Sequence, residues 1–329
     1  MKSPYPYFGG KATVATEVWK RFGDVGNYLE PFFGSGAVLL SRPHKIASQV
    51  ETVNDLDSMI ANFWRAVSKD PEAVAEYADW PVNEADLHAR HCWLLGRKPE
   101  VADRCMGDPD WYDAKVAGWW VWGICCWIGS GWCSGNGSWV SRDGLLVEDK
   151  DEDGASRQIP HLGSKGMGVH RKRPHLGDKG MGVHRTNSDL LSYFLDLQER
   201  MRRVRVCCGD WTRILGDTVT EKHGATIGVF LDPPYSVEDR EDCYNEESRS
   251  LSHDVRAWAL ERGADKRYRI ALCGYEGEHE MPGWNVVEWK AKGGYASQSD
   301  KENVNARRER IWFSPGCLKP MRSMQLNIL

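Results

Sequence analysis

No stretch of the chain approaches the roughly 18 consecutive apolar residues that a membrane helix needs. Met1 to Phe8 lacks the charged-then-apolar order of a secretion leader, and the expectation is a soluble, cytoplasmic protein. No Cys-x-x-Cys occurs among the ten cysteines. Cys125-Cys126 and Cys207-Cys208 are adjacent pairs, so the spacing that wraps zinc is missing, and reduced, packed thiols with no bound metal are expected. An excess of one charge is missing too: 43 Lys and Arg stand against 47 Asp and Glu, a net charge of −4. That balance identifies no partner and requires any basic surface to be local. A 41% apolar fraction with 16 tryptophans argues against disorder, and 329 residues can bury one large core or two smaller ones.

What is present is organised round Phe230-Leu231-Asp232-Pro233-Pro234-Tyr235. The run Thr226 to Leu231 is apolar and β-branched, as a strand buried on both faces would be. Pro233 cannot donate to a ladder, so pairing stops there. Asp232 is thereby placed at the carboxyl rim of a strand, where open α/β sheets bind ligands. Asp232 and the Pro233 carbonyl offer two acceptors to an amino group with two hydrogens, and Tyr235 offers a ring to stack on the base bearing it. Hydrogen bonds from both protons make an exocyclic adenine amine more pyramidal and free its lone pair for attack. Asp-Pro-Pro is equally ordinary turn chemistry.

Two earlier segments bear on this corner. Pro6-Tyr7-Phe8-Gly9-Gly10-Lys11 sets two glycines between aromatics and a lysine able to reach a carboxylate. Asn27 to Ala37, containing Glu30-Pro31-Phe32-Phe33-Gly34-Ser35-Gly36, reads as strand, glycine turn and helix through Val38 to Ser41. The third glycine of the dinucleotide fingerprint is absent, which disfavours a pyrophosphate. Amides at the helix start suit the carboxylate of an amino-acid moiety. Glu51 to Asp55 reads as a second strand ending in an acid, followed by Asp57 and a helical pattern at Ile60, Phe63, Trp64 and Val67. An acid there accepts from ribose hydroxyls or caps the helix, and Asp55 and Asp57 are both available.

In this order, the aromatic-Gly-Gly-Lys opening, the Glu-Pro-Phe-x-Gly-x-Gly turn and the Asp-Pro-Pro-Tyr box resemble the Dam-type (alpha-class) DNA adenine-N6 methyltransferases, of a phage-like kind. The resemblance covers residues 5–67 and about 187–315. It implies an α/β fold: a Rossmann-like methyltransferase sheet, mostly parallel with an antiparallel C-terminal strand, plus an inserted helical and loop target-recognition region. The catalytic domain would comprise 1–70 and 187–329, and the insertion 71–186. S-adenosyl-L-methionine is the implied cofactor and double-stranded DNA the implied partner, with no metal required, a monomer favoured, and the bacterial host cytoplasm as location for a phage-encoded chain. Carried over by the resemblance, Tyr7, Phe8, Gly10, Lys11, Glu30, Pro31, Phe32, Gly34, Gly36, Asp55, Asp210 and Asp232 bind the methyl donor. Asp232, Pro233, Pro234 and Tyr235 form the catalytic box. Two acids in Asn54-Asp55-Leu56-Asp57 leave the ribose partner open.

The insertion opens with Pro71, Pro81, Pro99 and Pro109 punctuating short helical stretches, then an apolar helix from Ala117 to Ile128 of a small satellite bundle. That bundle accounts for most of Trp119, Trp120, Trp122, Trp127, Trp132 and Trp139. Gly129 to Trp139 is too glycine-rich for regular structure, and its Trp132 and Asn136 are expected to contact nucleic acid. Glu148 to Asp153 reads as a solvated acidic turn. Then Pro160 to Arg171 recurs as Pro174 to Arg185, shifted by 14 residues, two units being too few for a solenoid. Arg157 to Arg185 holds seven Lys and Arg and one acid, Asp178, a net of +6. Lys165, Arg171, Lys172, Arg173, Lys179 and Arg185, with His170 and His184 at the tips, are the candidates for DNA contact. The histidine spacing matches no familiar zinc pattern.

A helix carrying Leu190, Phe194, Leu197 and Met201 on one face follows, then a strand Val204 to Cys208 ending at Gly209-Asp210-Trp211. Val237 to Ser252, acidic and aperiodic, reads as a lid loop. Helix Asp254 to Arg262, strand Arg269 to Cys273, and strands Val286 to Trp289 and Arg310 to Phe313 close the chain, with Arg307, Arg308 and Arg310 expected near DNA. The function the resemblance implies is site-specific adenine-N6 methylation of a flipped-out base; the rivals are cytosine-N4 methylation and a non-catalytic DNA-binding homologue.

Overall fold

The computed structural model describes residues 1–7, 10–43, 49–108, 110–127, 132–133, 139–142, 145–148, 187–221, 226–235, 246–289 and 308–319. In chain order the elements are α1 (Ala15–Phe22), β1 (Asn27–Glu30), α2 (Ala37–Leu40), β2 (Val50–Asp55), α3 (Ser58–Lys69), α4 (Pro71–Ala78), α5 (Glu84–Gly107), α6 (Ala114–Cys126), β3 (Trp139–Arg142), β4 (Leu145–Glu148), α7 (Asn187–Met201), β5 (Val204–Cys208), α8 (Asp217–Thr220), β6 (Ile227–Leu231), α9 (Glu246–Gly263), β7 (Tyr268–Tyr275), β8 (Asn285–Glu288) and β9 (Glu309–Phe313). A seven-stranded sheet has the order β5-β2-β1-β6-β7-β9-β8. The expected mostly parallel α/β sheet with an antiparallel final strand is therefore present: β1 runs parallel to β2 and β6, β6 parallel to β7, and β9 antiparallel to both β7 and β8.

Two compact units make up the chain, one of Met1, Gly9–Val53 and Trp211–Leu329, the other of Lys2–Phe8 and Asn54–Asp210. In the first, β1 and β6 are buried along their whole lengths, because every side chain of both strands is covered. Trp19 of α1 packs on Tyr28 of β1 at 4.9 Å and donates its indole N–H to the Val38 carbonyl at 2.7 Å. Arg42 lies over the Trp19 ring at 5.0 Å while its guanidinium pairs with Glu51 at 3.0 Å. Burial of this arginine is tolerable only because that carboxylate and the Val25 carbonyl satisfy its donors. The edge strand β8 is mostly exposed, as a polar-edged sheet margin should be.

In the second unit α3 is the central helix. Its Phe63 and Trp64 meet Tyr5 at 5.4 and 6.4 Å, and Tyr5 also meets Trp120 of α6 at 4.9 Å. The predicted face of α7 is buried as expected: Leu190, Phe194, Leu197 and Met201 are all inside. The satellite helix is α6, and its Trp120 and Trp122 are core residues. Asn62 and Asp113 tie α3 to the start of α6 by a reciprocal pair of hydrogen bonds at 3.0 and 2.9 Å.

Three expectations need correction. Pro99 does not end a helix but lies inside the 24-residue α5. Asn83 caps α5 through two amides, and Leu87, Leu94 and Val101 are buried on both sides of the proline. Packing on both flanks outweighs the one missing N–H. Residues 246–252 of the expected lid are helical, forming the first turns of α9. Trp139 lies not in an irregular loop but at the start of an antiparallel pair, β3 with β4, in which Trp139 faces Glu148. Asp143-Gly144 between the two strands is the dipeptide that two-residue hairpins favour, so this hairpin carried a sequence signal.

Candidate active site

The chain leaves β1 towards β2 on one side and later returns through β6 to β1's other side, so the strand order reverses between β1 and β6. Such a reversal opens a crevice at the carboxyl ends of the two strands. The register aligns Leu29 with Val229, which sets Glu30 and the glycine bend beside the Asp-Pro-Pro-Tyr corner. Pairing of β6 ends at Leu231, as the prolines dictate. Pro233 is buried and Pro234 exposed.

At that corner Asp232 Oδ1 lies 2.8 Å from Lys11 Nζ. Lys11 is 4% exposed and is held in place by its own backbone, whose carbonyl accepts the amides of Val14 and Ala15 at the entry to α1. The Tyr235 hydroxyl stands 3.2 Å from the same Oδ1 and 2.9 Å from Oε2 of Glu309 at the start of β9. Both clamps on Asp232 therefore fall on Oδ1. The Tyr235 ring meets Tyr275 edge-on at 4.7 Å, and Lys11 Nζ lies 5.2 Å from the Tyr235 ring and 5.6 Å from that of Trp289.

The electrostatics follow from burial and neighbours. Burial works against the Lys11 ammonium, but the carboxylate of Asp232 against it, with a smaller pull from Glu309, outweighs burial and raises its pKa, so the lysine stays charged. Burial raises the Glu309 carboxyl, with Lys11 and the Tyr235 hydrogen bond opposing. Tyr235 is held well above the ordinary phenol value by burial, then by Asp232, Cys273 and Glu309. Burial, then the nearby carboxylates Asp232, Glu309 and Glu30, keep the Cys273 thiol protonated.

On the β1 side, Glu30 is 2% exposed and accepts from the Tyr28 hydroxyl at 2.7 Å. Phe32 lies nearly parallel to Trp211, with ring centroids 6.3 Å apart. Gly34 and Gly36 have φ of 48° and 68°, left-handed values that a side chain would strain. Pro31 is buried and Gly10 is exposed.

Other predicted residues lie in the second unit. Tyr7 is exposed, 6.2 Å from Tyr5. Asp57 caps α3 by accepting the Met59 amide at 2.9 Å, while Asp55 closes β2 and accepts the Asp57 amide at 2.9 Å. Asp210 follows Gly209, whose amide reaches the Asp55 carbonyl at 3.1 Å and whose carbonyl takes the Asn54 side chain at 2.8 Å. Trp132 is half-buried against His91 and Trp127, its indole N–H donating to the Trp120 carbonyl at 3.0 Å. Phe8, Asn136, Lys165, His170, Arg171, Lys172, Arg173, Lys179, His184 and Arg185 lie outside the described residues. Arg310, expected near DNA, is instead 7% exposed and paired with Glu276 at 3.0 Å and Glu288 at 3.6 Å. Arg308 lies over the Tyr275 ring at 5.5 Å.

Sequence reasoning missed Glu309, Cys273, Tyr275 and Trp289. The one signal for Glu309 was an acid embedded in Arg307-Arg308-Glu309-Arg310 at the start of a strand. Among the described residues no group of three His, Cys, Asp or Glu side chains is placed to hold a metal, and no helix is long and apolar enough to cross a membrane.

A comparison with curated proteins gives no match. Residues 7–89 match the model of the D12 class N6 adenine-specific DNA methyltransferase family. That segment contains Lys11, Glu30, Phe32 and the glycine bend, and the remaining motif, the Asp-Pro-Pro-Tyr corner, stands on the strand beside it. Match and fold together support a Dam-type adenine methyltransferase, in a family whose activity is N6 methylation of adenine in DNA.

Proposed function

We propose that this corner transfers a methyl group from S-adenosylmethionine to the N6 amine of an adenine extruded from double-stranded DNA. The residues present fit such a donor. Glu30 and Asp232 are two carboxyls to the one ammonium of Lys11, all felt by Cys273, a balance suited to a cation. Phe32 and Trp211 offer a parallel aromatic wall, and the left-handed glycines keep side chains off the bend. Bound S-adenosylmethionine would supply an electrophilic methyl group on a sulfonium.

The observation that carries the reading is the clamp on Oδ1 of Asp232. Lys11 and Tyr235 fix that oxygen, and among the described residues none bonds Oδ2, on a side chain 21% exposed. Oδ2 can accept one N6 proton and the Pro233 carbonyl the other, while the Tyr235 ring faces the base. Orientation and polarisation of the amine, with the carboxylate already in place, are what the chain contributes to the rate. Extruding the base costs a few kcal/mol of stacking and pairing, which phosphate contacts from the basic repeat at 160–185 would offset.

The test is to incubate unmethylated double-stranded DNA with the protein and S-adenosylmethionine, then analyse its nucleosides. N6-methyladenine is expected. Asp232→Ala should lower its formation by at least about a hundredfold, a loss that saturating donor does not restore. N4-methylcytosine as product, or normal methylation by the variant, would overturn the reading.

A further inference from the structure

We propose that Glu309 is a positioning residue for the transfer: through the Tyr235 hydroxyl it fixes the orientation of Asp232, and it does so as a neutral carboxylic acid. This rests on the methyl-transfer reading and deepens it.

The geometry is a row of three groups. Glu309 Oε2 is 2.9 Å from the Tyr235 oxygen, which is 3.2 Å from Asp232 Oδ1, which is 2.8 Å from Lys11 Nζ. A phenol has one proton to donate. With both carboxyls ionised, only one of the two contacts to Tyr235 is a hydrogen bond, and the other sets an anionic oxygen against a phenol lone pair. With a proton on Glu309, every contact is satisfied: Glu309 donates to Tyr235, Tyr235 donates to Asp232, and Lys11 donates to Asp232. The second arrangement also places no uncompensated charge at a side chain that is 6% exposed. Among the described residues Lys11 is the cation that acts on the Glu309 carboxyl, and it lies on Asp232 rather than on Glu309, while the Arg310 guanidinium is paired with Glu276 and Glu288. Burial raises the Glu309 carboxyl in the same direction, against the smaller pull of Lys11 and Tyr235 and with the help of Asp232 and Glu278.

Position and rigidity favour this role. Glu309 opens β9, where it is paired across to Tyr275 of β7, and Tyr275 in turn braces the Tyr235 ring. The Glu309 carbonyl accepts the amide of Trp289 at 3.3 Å and the guanidinium of Arg310 at 3.0 Å. The side chain thus hangs from a backbone fixed on several sides, as a group that aims another must be.

The test compares Glu309→Gln and Glu309→Ala, alone and with Tyr235→Phe, in steady-state methylation across pH, with unfolding temperatures as a check on folding. An amide reproduces a neutral acid, with a donor for the Tyr235 oxygen. The expectation is that Glu309→Gln keeps kcat within about threefold of wild type, whereas Glu309→Ala lowers kcat by at least about tenfold and leaves KM for DNA nearly unchanged. Raising the pH should ionise Glu309 and slow the wild type, a limb that Glu309→Gln lacks. Adding Glu309→Ala to Tyr235→Phe should cost little more, since the hydroxyl it works through is gone. An active Glu309→Ala, a Glu309→Gln as slow as Glu309→Ala, or full additivity with Tyr235→Phe would each overturn the inference. A wild-type protein that methylates no DNA would instead overturn the reading beneath it.

Discussion

An ammonium as buried as that of Lys11, 4% exposed, keeps its charge only while a carboxylate lies against it. Asp232 therefore serves stability as well as chemistry, and substituting it disturbs both. Removing one partner of a buried pair costs about 3–5 kcal/mol, and the partial exposure of Asp232 puts this pair at the lower end. Asp232→Asn should lower the unfolding free energy by about 3 kcal/mol in urea titrations at neutral pH. Adding Lys11→Met, which removes the stranded charge and keeps an apolar stem, should restore stability to within about 1 kcal/mol of wild type without restoring methylation. A double variant no more stable than Asp232→Asn would show that Asp232 has no such duty.

Among the elements, glycines of the second unit separate packing from propensity. A Cβ on Gly118 of α6 would meet the Tyr77 Cβ and, at 2.8 Å, the Val74 carbonyl of α4, and that backbone cannot step aside as a side chain could. Gly96 of α5 has nothing within 4 Å of such a Cβ. Alanine gains up to about 1 kcal/mol in helix propensity at either place, but overpacking costs about 1–3 kcal/mol. Gly96→Ala should raise the melting temperature and Gly118→Ala lower it; two shifts of the same sign would contradict the packing. The same distinction governs what the sequence disclosed. β6 and β7 were legible because apolar runs ending at a proline or a glycine mark buried strands, β1 and β2 because each ends in an acid before a turn or a helix, and α7 because its apolar face repeats at helical spacing. The start of α9 was not legible, since Glu246 to Ser252 carries helix-forming residues without an apolar face. Nor was the continuity of α5 through Pro99, which depends on Leu87, Leu94 and Val101 finding partners. At the site, the motif residues were legible, whereas Glu309 is 74 residues from Tyr235 and reaches it only because β9 pairs antiparallel with β7.

For the molecule as a whole, the sign of the charge is the obstacle to its proposed partner. A net charge of −4 repels a polyanion, so affinity for DNA must come from where positive charge is concentrated, and the segment Arg157 to Arg185 concentrates it at a net of +6. Each phosphate neutralised releases counterions and adds roughly −0.9 to the slope of log affinity against log salt. If all seven of its Lys and Arg residues met phosphates, the segment would contribute a slope of about −6. Replacing Arg157, Lys165, Arg171, Lys172, Arg173, Lys179 and Arg185 with glutamine should flatten the salt dependence by several units and weaken binding most at low salt. Donor affinity should be unchanged, because the residues assigned to the donor in the first unit lie on β1, at the glycine bend and beside β6. Asp232→Ala, which touches the base and no phosphate, should keep the full slope while losing methylation. Fluorescence anisotropy with a labelled duplex from 50 to about 200 mM salt reads both variants, and an unchanged slope after the seven substitutions would place DNA affinity elsewhere on the chain.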